Sequence, residues 1–131
     1  YRRGLKLRPQ DAGYLCCQAN ALAKLNRRTE AMATYRRAIQ IRPDLSEAHF
    51  ELAGLLVAEN QVTEALREYA EAIRLNPRHV VSRINLGVVL VRQNRLDEAL
   101  QQFAVALQMD PKNAAAAEYI RQVTARRDRK Q

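Results

Sequence analysis

The sequence predicts an all-α protein made of stacked repeats, and three periodic features predict it. Four prolines follow one another at a spacing of 34 residues, at positions 9, 43, 77 and 111. Three asparagines keep the same spacing, at positions 26, 60 and 94. The segment from Tyr35 to Pro43 recurs in altered form at residues 1–9, 69–77 and 103–111. A fixed period without insertions is typical of stacked repeat proteins, which present a surface to a partner.

The composition fits one soluble domain and argues against nucleic acid as a partner. The chain has 131 residues, of which 47% are apolar and 27% charged, near the averages for globular proteins. Its net charge of +8 resides in residues 1–8 and 121–131, and the stretch between them is neutral. A surface that follows phosphates should be basic along its length. No apolar run approaches the ~20 residues that cross a bilayer, so we expect no membrane insertion in this fragment.

The two cysteines, Cys16 and Cys17, are adjacent. Neighbouring helical residues cannot bring their sulfurs into disulfide geometry without breaking the helix. We therefore expect free thiols, which favour a reducing compartment such as the cytoplasm.

The first helices come next in chain order. We expect residues 1–11 to be the second helix of a preceding, truncated repeat, because Tyr1 and Leu5 share one helical face. Residues 12–25 form the first full helix, with an apolar stripe of Leu15, Ala19 and Leu22. Since Asn tolerates the left-handed conformation that closes many helices, the three periodic asparagines predict three equivalent helix ends.

The second helices begin shortly after each asparagine. The sequence predicts their N-caps at Thr29, Thr63 and Asp97. An acid follows each cap and complements the helix dipole (Glu30, Glu64 and Glu98).

Small and large apolar residues alternate on the second helices, which lets paired helices approach closely. The set is Ala31, Tyr35, Ala38 and Ile39, then Ala65, Tyr69, Ala72 and Ile73, then Ala99, Phe103, Ala106 and Leu107. The partner faces are predicted at Leu52, Ala53 and Leu56, and at Leu86, Gly87 and Leu90. In the last helix, residues 114–131, we expect Ile120, Val123 and Thr124 to cover the preceding helices.

The pattern of a small residue, an aromatic residue and a proline, as in Ala31-x₃-Tyr35…Pro43, resembles the tetratricopeptide repeat family. Three copies cover residues 12–45, 46–79 and 80–113, and residues 114–131 would cap them. The resemblance implies a right-handed superhelical solenoid of antiparallel helix pairs. The chain departs from the family where Trp is favoured, with Leu15, His49 and Arg83.

No catalytic set emerges, so we expect neither an enzyme nor a cofactor or metal site. The two histidines, His49 and His79, do not stand at ligand spacing from a cysteine. No base is predicted beside Cys16, as a nucleophile would need. Glu47 and Glu51 are four residues apart and are interpreted as an acidic helix face rather than as a catalytic pair.

Several tetratricopeptide proteins hold a partner's terminal carboxylate with Lys, Asn and Arg on their first helices. This chain keeps Asn20, but the cationic positions hold Cys16, Val81 and Asn85. We therefore reject a carboxylate clamp.

The resemblance implies that the first helices line a concave groove, and larger apolar patches left exposed usually mark interaction. The sequence predicts a protein–protein interaction scaffold that binds a partner's peptide or helix there. An alternative is that some of these apolar residues only pack between neighbouring helices. Two other functions remain open: self-association as a homo-oligomer, and a regulatory or targeting domain of a larger enzyme (a glycosyltransferase, for example) or membrane protein. The candidate groove residues are Cys16, Asn20, Glu47, Phe50, Glu51, Gly54, Val57, Val81, Ile84, Asn85, Val88, Val91, Arg92, Glu118 and Gln122.

Overall fold

The computed structural model describes residues 11–129, which form seven α-helices and no strand. The helix predicted for residues 1–8 lies outside the described residues. Helices α1, α3, α5 and α7 begin 34 residues apart, as do α2, α4 and α6. The helices are α1 (Ala12–Lys24), α2 (Arg28–Ile41), α3 (Ser46–Ala58), α4 (Val62–Leu75), α5 (Val80–Arg92), α6 (Leu96–Met109) and α7 (Ala114–Arg129).

The chain divides into two compact units, Tyr1–Glu68 and Tyr69–Gln131. Helices α1 to α3 and the start of α4 belong to the first unit. The rest of α4 and helices α5 to α7 belong to the second.

The three periodic asparagines end helices as predicted. Asn26, Asn60 and Asn94 have positive φ angles of 62°, 62° and 60°. After α1, the Arg27 amide donates to the Leu22 carbonyl at 2.9 Å, and the Asn26 amide donates to the Ala23 carbonyl at 3.0 Å. The same pair of bonds follows α3 and α5. This arrangement satisfies carbonyls that a helix end otherwise leaves unpaired.

The predicted N-caps are wrong. Thr29, Thr63 and Asp97 are each the second residue of a helix, because the tight turn after each asparagine starts the next helix earlier. In α2 and α6 an arginine occupies the cap without a side-chain cap bond. Arg27 instead donates two hydrogen bonds to Glu30, at 2.7 and 2.6 Å, and Arg95 does the same to Glu98.

The acids predicted for the first turns, Glu30, Glu64 and Glu98, do lie there. At the start of α1, the side chain of Asp11 caps the helix. Asp11 Oδ1 accepts from the Gly13 amide at 2.8 Å.

The core of the first unit is the predicted small-and-large face. Leu15 and Ala19 of α1 are buried, and Leu22 is half-buried. One buried cluster consists of Ala19, Met32, Tyr35, Ala48, Leu52, Leu56 and Ala65.

The core of the second unit is organised around Phe103, which is fully buried. A Cβ built on Gly87 would lie 2.6 Å from Phe103 Cε1, so only glycine allows this approach between α5 and α6. On α7, Tyr119 stacks on Phe103 with ring centroids 5.0 Å apart. Val123 is buried as predicted, and Ile120 and Thr124 are half-buried, as is Tyr119.

Two polar residues replace the family's tryptophan through equivalent contacts. His49 is 6% exposed; its Nε2 donates to the Pro43 carbonyl at 2.9 Å, and its Nδ1 lies 2.6 Å from Glu68 Oε1. Arg83, one period later, donates to the Pro77 carbonyl and to Gln102, both at 3.3 Å. The buried His49 is tolerated because both of its ring nitrogens find hydrogen-bond partners, whereas Arg83 is only half-buried.

Candidate functional site

A small cleft opens between α1 and α3 in the first unit, with a volume of about 120 Å³. Tyr35 of α2 reaches into it, and its hydroxyl donates to Asn20 Oδ1 at 2.6 Å. Glu51 is the one charged residue in the lining. We call this site the α1–α3 cleft; it is lined by Asn20, Ala23, Tyr35, Glu51, Gly54 and Leu55.

The surroundings of the α1–α3 cleft are acidic. Burial raises the pKa of Tyr35, and the negative charge of Glu51 raises it further. Burial also raises the pKa of the Cys16 thiol, followed by the charges of Glu47, Cys17 and Glu51. Because the thiolate is the nucleophilic form, a raised pKa makes Cys16 less reactive. Both cysteines are free.

A larger cleft, of about 320 Å³, opens between α5 and α7 in the second unit. Within residues 11–129, none of its three arginines, Arg92, Arg126 and Arg129, forms an ion pair. No acidic residue belongs to its lining. We call this site the α5–α7 cleft; it is lined by Val88, Val91, Arg92, Tyr119, Gln122, Val123, Arg126 and Arg129.

The two clefts occupy the same place in the repeat. Two periods, or 68 residues, carry the positions of Asn20 and Ala23 onto those of Val88 and Val91. The same shift carries Glu51, Gly54 and Leu55 onto Tyr119, Gln122 and Val123. The repeat therefore fixes where a cleft opens, and the side chains decide its chemistry.

The clefts bring together part of the predicted groove. Asn20, Glu51 and Gly54 line the α1–α3 cleft. Val88, Val91, Arg92 and Gln122 line the α5–α7 cleft. The other predicted residues line neither cleft: Cys16, Glu47, Phe50, Val57, Val81, Ile84, Asn85 and Glu118.

Three of those residues offer little open surface. Ile84 is only 9% exposed. Cys16 and Val57 pack against the buried cluster of the first unit, which agrees with the alternative of packing between helices. Because the candidate groove residues come from both units, a groove that joins them stays a prediction.

Four residues of the α5–α7 cleft are not among the predicted groove residues: Tyr119, Val123, Arg126 and Arg129. The two groove residues predicted on α7, Glu118 and Gln122, mark one edge of the helix face that lines the cleft, and only Gln122 lies in the lining. Carrying the 34-residue period from Leu55 and Val89 to Val123 would have indicated the other edge.

Within residues 11–129, no three His, Cys, Asp or Glu side chains lie together as a metal site would require. The same stretch contains no helix long and apolar enough to cross a membrane.

Comparison with known proteins agrees with the repeat. A tetratricopeptide repeat family model matches residues 50–114, and a second tetratricopeptide repeat model matches residues 19–56. Comparison with curated protein sequences gave no significant match. The chain belongs to the tetratricopeptide repeat family.

Two solved structures resemble the chain in fold. One is the first tetratricopeptide domain of Spaghetti (RPAP3) bound to the HSP90 peptide SRMEEVD; it has a TM-score of 0.84 and 20% identity over 93% of this chain and 97% of that one. The other is the Arabidopsis OM64 tetratricopeptide domain, with a TM-score of 0.82 and 18% identity over 88% of this chain and 95% of that one. The fold is therefore an all-α tetratricopeptide solenoid, and the chain is a protein-interaction module.

Proposed function

We propose that the chain is a non-catalytic scaffold that binds a peptide or a helix of a partner protein along its first helices. The observation that carries this proposal is the repetition of an open cleft at one place in the repeat, once in each unit. Concave sites with apolar walls and a few convergent polar groups are the usual form of a binding site.

One of the similar solved structures holds a bound peptide, which supports peptide binding by this fold. Its identity to this chain is 20%, so the comparison concerns the fold alone. A terminal carboxylate is a poor choice of ligand for this chain. The positions of the clamp's cations hold Cys16, Val81 and Asn85, and none of these supplies a positive charge.

The α1–α3 cleft suits a basic or hydrogen-bonding residue of the partner. Glu51 lies in its lining, and the charges of Glu47 and Glu51 both act on Cys16 and Tyr35. An opposite charge from a partner would be favoured there, more so at low salt.

The test is a selection from a random phage-displayed peptide library, followed by fluorescence polarisation with the enriched peptides. Two variants fill the clefts from exposed positions: Gly54→Arg in the α1–α3 cleft and Gln122→Trp in the α5–α7 cleft. At least one should weaken binding by about tenfold or more, because it removes the volume that a partner side chain would fill. Gln101→Trp, at an exposed position of α6 outside both clefts, is the matched control and should bind as the unmodified chain does.

Failure to enrich any peptide, or equal binding by all variants, would contradict the proposal. Self-association is distinguished by light scattering. If the unmodified chain is dimeric and a cleft-filling variant is monomeric, the face serves a second copy of the chain instead of a different protein.

A further inference from the structure

We propose that the α5–α7 cleft recognises an acidic partner segment carrying an aliphatic or aromatic anchor. This inference rests on the proposed function and names the chemistry of the partner at one cleft. It uses arginines outside the clamp positions discussed above.

The cleft has an apolar floor that is held in place by the core. Val88 and Val91 of α5 face Val123 of α7, which is buried. The Tyr119 ring is stacked on the fully buried Phe103, so it provides a fixed wall. A site of about 320 Å³ with such walls can take one or two apolar side chains.

The rim of the cleft is cationic on both sides. Arg92 extends from α5, and Arg126 and Arg129 extend from α7 at a spacing of three residues, on one helix face. Cations are favoured in the last turn of a helix by its dipole, which can account for Arg126 and Arg129 on α7. The helix dipole does not explain why Arg126 and Arg129 lie with Arg92 around a shared apolar floor.

The acids nearest in sequence are engaged elsewhere. Glu118 pairs with Arg121 and accepts a hydrogen bond from Gln122 at 3.1 Å. Asp128 lies 3.8 Å from Arg127, which also pairs with Asp97 at 3.2 Å. The rim arginines therefore remain available, and guanidinium groups bind carboxylates with paired hydrogen bonds.

Charge complementarity thus selects an acidic protein segment as the occupant. Single-stranded nucleic acid fits less well, since such sites stack bases on open aromatic faces along a basic track. Here Tyr119 has one face against Phe103.

The experiment uses the peptides that are selected from the library by binding to the unmodified chain. We expect acidic residues next to an aliphatic or aromatic residue in those peptides whose binding Gln122→Trp abolishes. Removing two rim charges, by Arg92→Gln with Arg126→Gln, should weaken these peptides about tenfold or more. Arg37→Gln with Arg67→Gln removes the same charge from exposed positions outside the cleft, and should change binding less than about twofold.

The apolar half of the proposal has its own variant. Val88→Thr keeps the shape of the side chain but replaces a methyl group with a hydroxyl, so it should weaken binding of the same peptides about threefold or more. Circular dichroism of every variant checks that the helices are retained.

Enrichment of basic or uncharged peptides would overturn this inference and leave the proposed function intact, whereas failure to enrich any peptide would overturn both. The inference would also fall if the rim variant and its control bound equally, or if serine could replace the apolar anchor without loss. A uridine oligonucleotide that displaces the peptide and depends on the same arginines would mark a nucleic-acid site instead.

Discussion

The α1–α3 and α5–α7 clefts stand at the same repeat position and carry opposite chemistry. Beneath the first, Tyr35 donates its hydroxyl to Asn20, and Glu51 makes the lining acidic. Beneath the second, Phe103 takes the place of the tyrosine and stacks on Tyr119, which stands where the first cleft has Glu51.

This difference teaches that the position of a cleft and its chemistry have separate origins. The backbone period sets where a cleft opens, since helix starts and left-handed asparagines recur in both units. A few side chains between helix ends set the size and charge of the cleft. Exchanging those side chains should therefore change local energetics without changing the fold.

The largest effect is expected where the second unit is packed most closely. In Gly87→Ala the new Cβ would meet Phe103 Cε1 at 2.6 Å and Cζ at 2.7 Å, and the ring is fully buried against Tyr119. We expect a loss of about 1–3 kcal/mol in the free energy of unfolding, measured by chemical denaturation.

The corresponding position of the first unit, Ala19, provides the control. Ala19 is fully buried, so Ala19→Gly should cost about 1–2 kcal/mol, from the lost methyl group and from the flexibility of glycine in a helix. An increase in stability of Gly87→Ala, as helix propensity alone would give, would mean that Phe103 can move aside.

The variant Phe103→Tyr tests whether the second cleft can form the hydrogen bond that Tyr35 makes in the first. Phe103→Tyr would place a hydroxyl where the partner position holds Val88 instead of an asparagine. An unpaired buried hydroxyl should cost about 1–2 kcal/mol. Adding Val88→Asn should recover part of that loss, as a double-mutant cycle in urea would show. Additive losses would mean that the two clefts do not share this geometry.

The sequence predicted most of the backbone because its signals are local. Left-handed closure depends on one residue type, so Asn26, Asn60 and Asn94 marked three helix ends correctly. The N-caps failed because the tight turn after each asparagine starts the next helix earlier than assigned, so that Arg27 and not Thr29 stands at the N-cap of α2. One of the two hydrogen-bond partners of the buried His49 is Glu68, 19 residues away, which no local pattern brings to it.

The candidate site was predicted less completely because a helix face is broad. Two of the predicted groove residues, Val88 and Val91, lie in one wall of the α5–α7 cleft. The opposite wall depends on how α7 is rotated about its axis, which the stacking of Tyr119 on Phe103 decides. That contact joins residues 16 apart, and neither propensity nor periodicity specifies it.

High pH should destabilise the first unit through Tyr35. The pKa of Tyr35 is raised in the folded chain, whereas an unfolded tyrosine loses its proton near pH 10. Above about pH 10 the folded state therefore holds more protons than the unfolded state, and stability falls as pH rises, by about 1.4 kcal/mol per pH unit. Below that pH the contribution of Tyr35 is fully present.

Tyr35→Phe removes this titration but also the hydrogen bond to Asn20. The variant should be less stable than the unmodified chain at pH 8, by about 1 kcal/mol, and the difference should shrink between pH 10 and 11. Urea denaturation at each pH measures it. A difference that stays constant with pH would show that Tyr35 does not titrate differently in the folded and unfolded states.

The smallest effect is expected where the two units agree. Asn26 and Asn94 have nearly the same left-handed backbone, with φ angles of 62° and 60°, although the clefts beside them differ. In that conformation the Cβ of alanine lies close to its own carbonyl oxygen. We therefore expect Asn26→Ala and Asn94→Ala to lower the free energy of unfolding by similar amounts, each about 0.5–1 kcal/mol. Glycine has no Cβ, so the two glycine variants should stay within about 0.5 kcal/mol of the unmodified chain. Thermal denaturation of the four variants makes the comparison. Unequal losses for the two alanine variants would mean that the chemistry of the clefts extends to the helix ends, and that backbone and cleft are not independent.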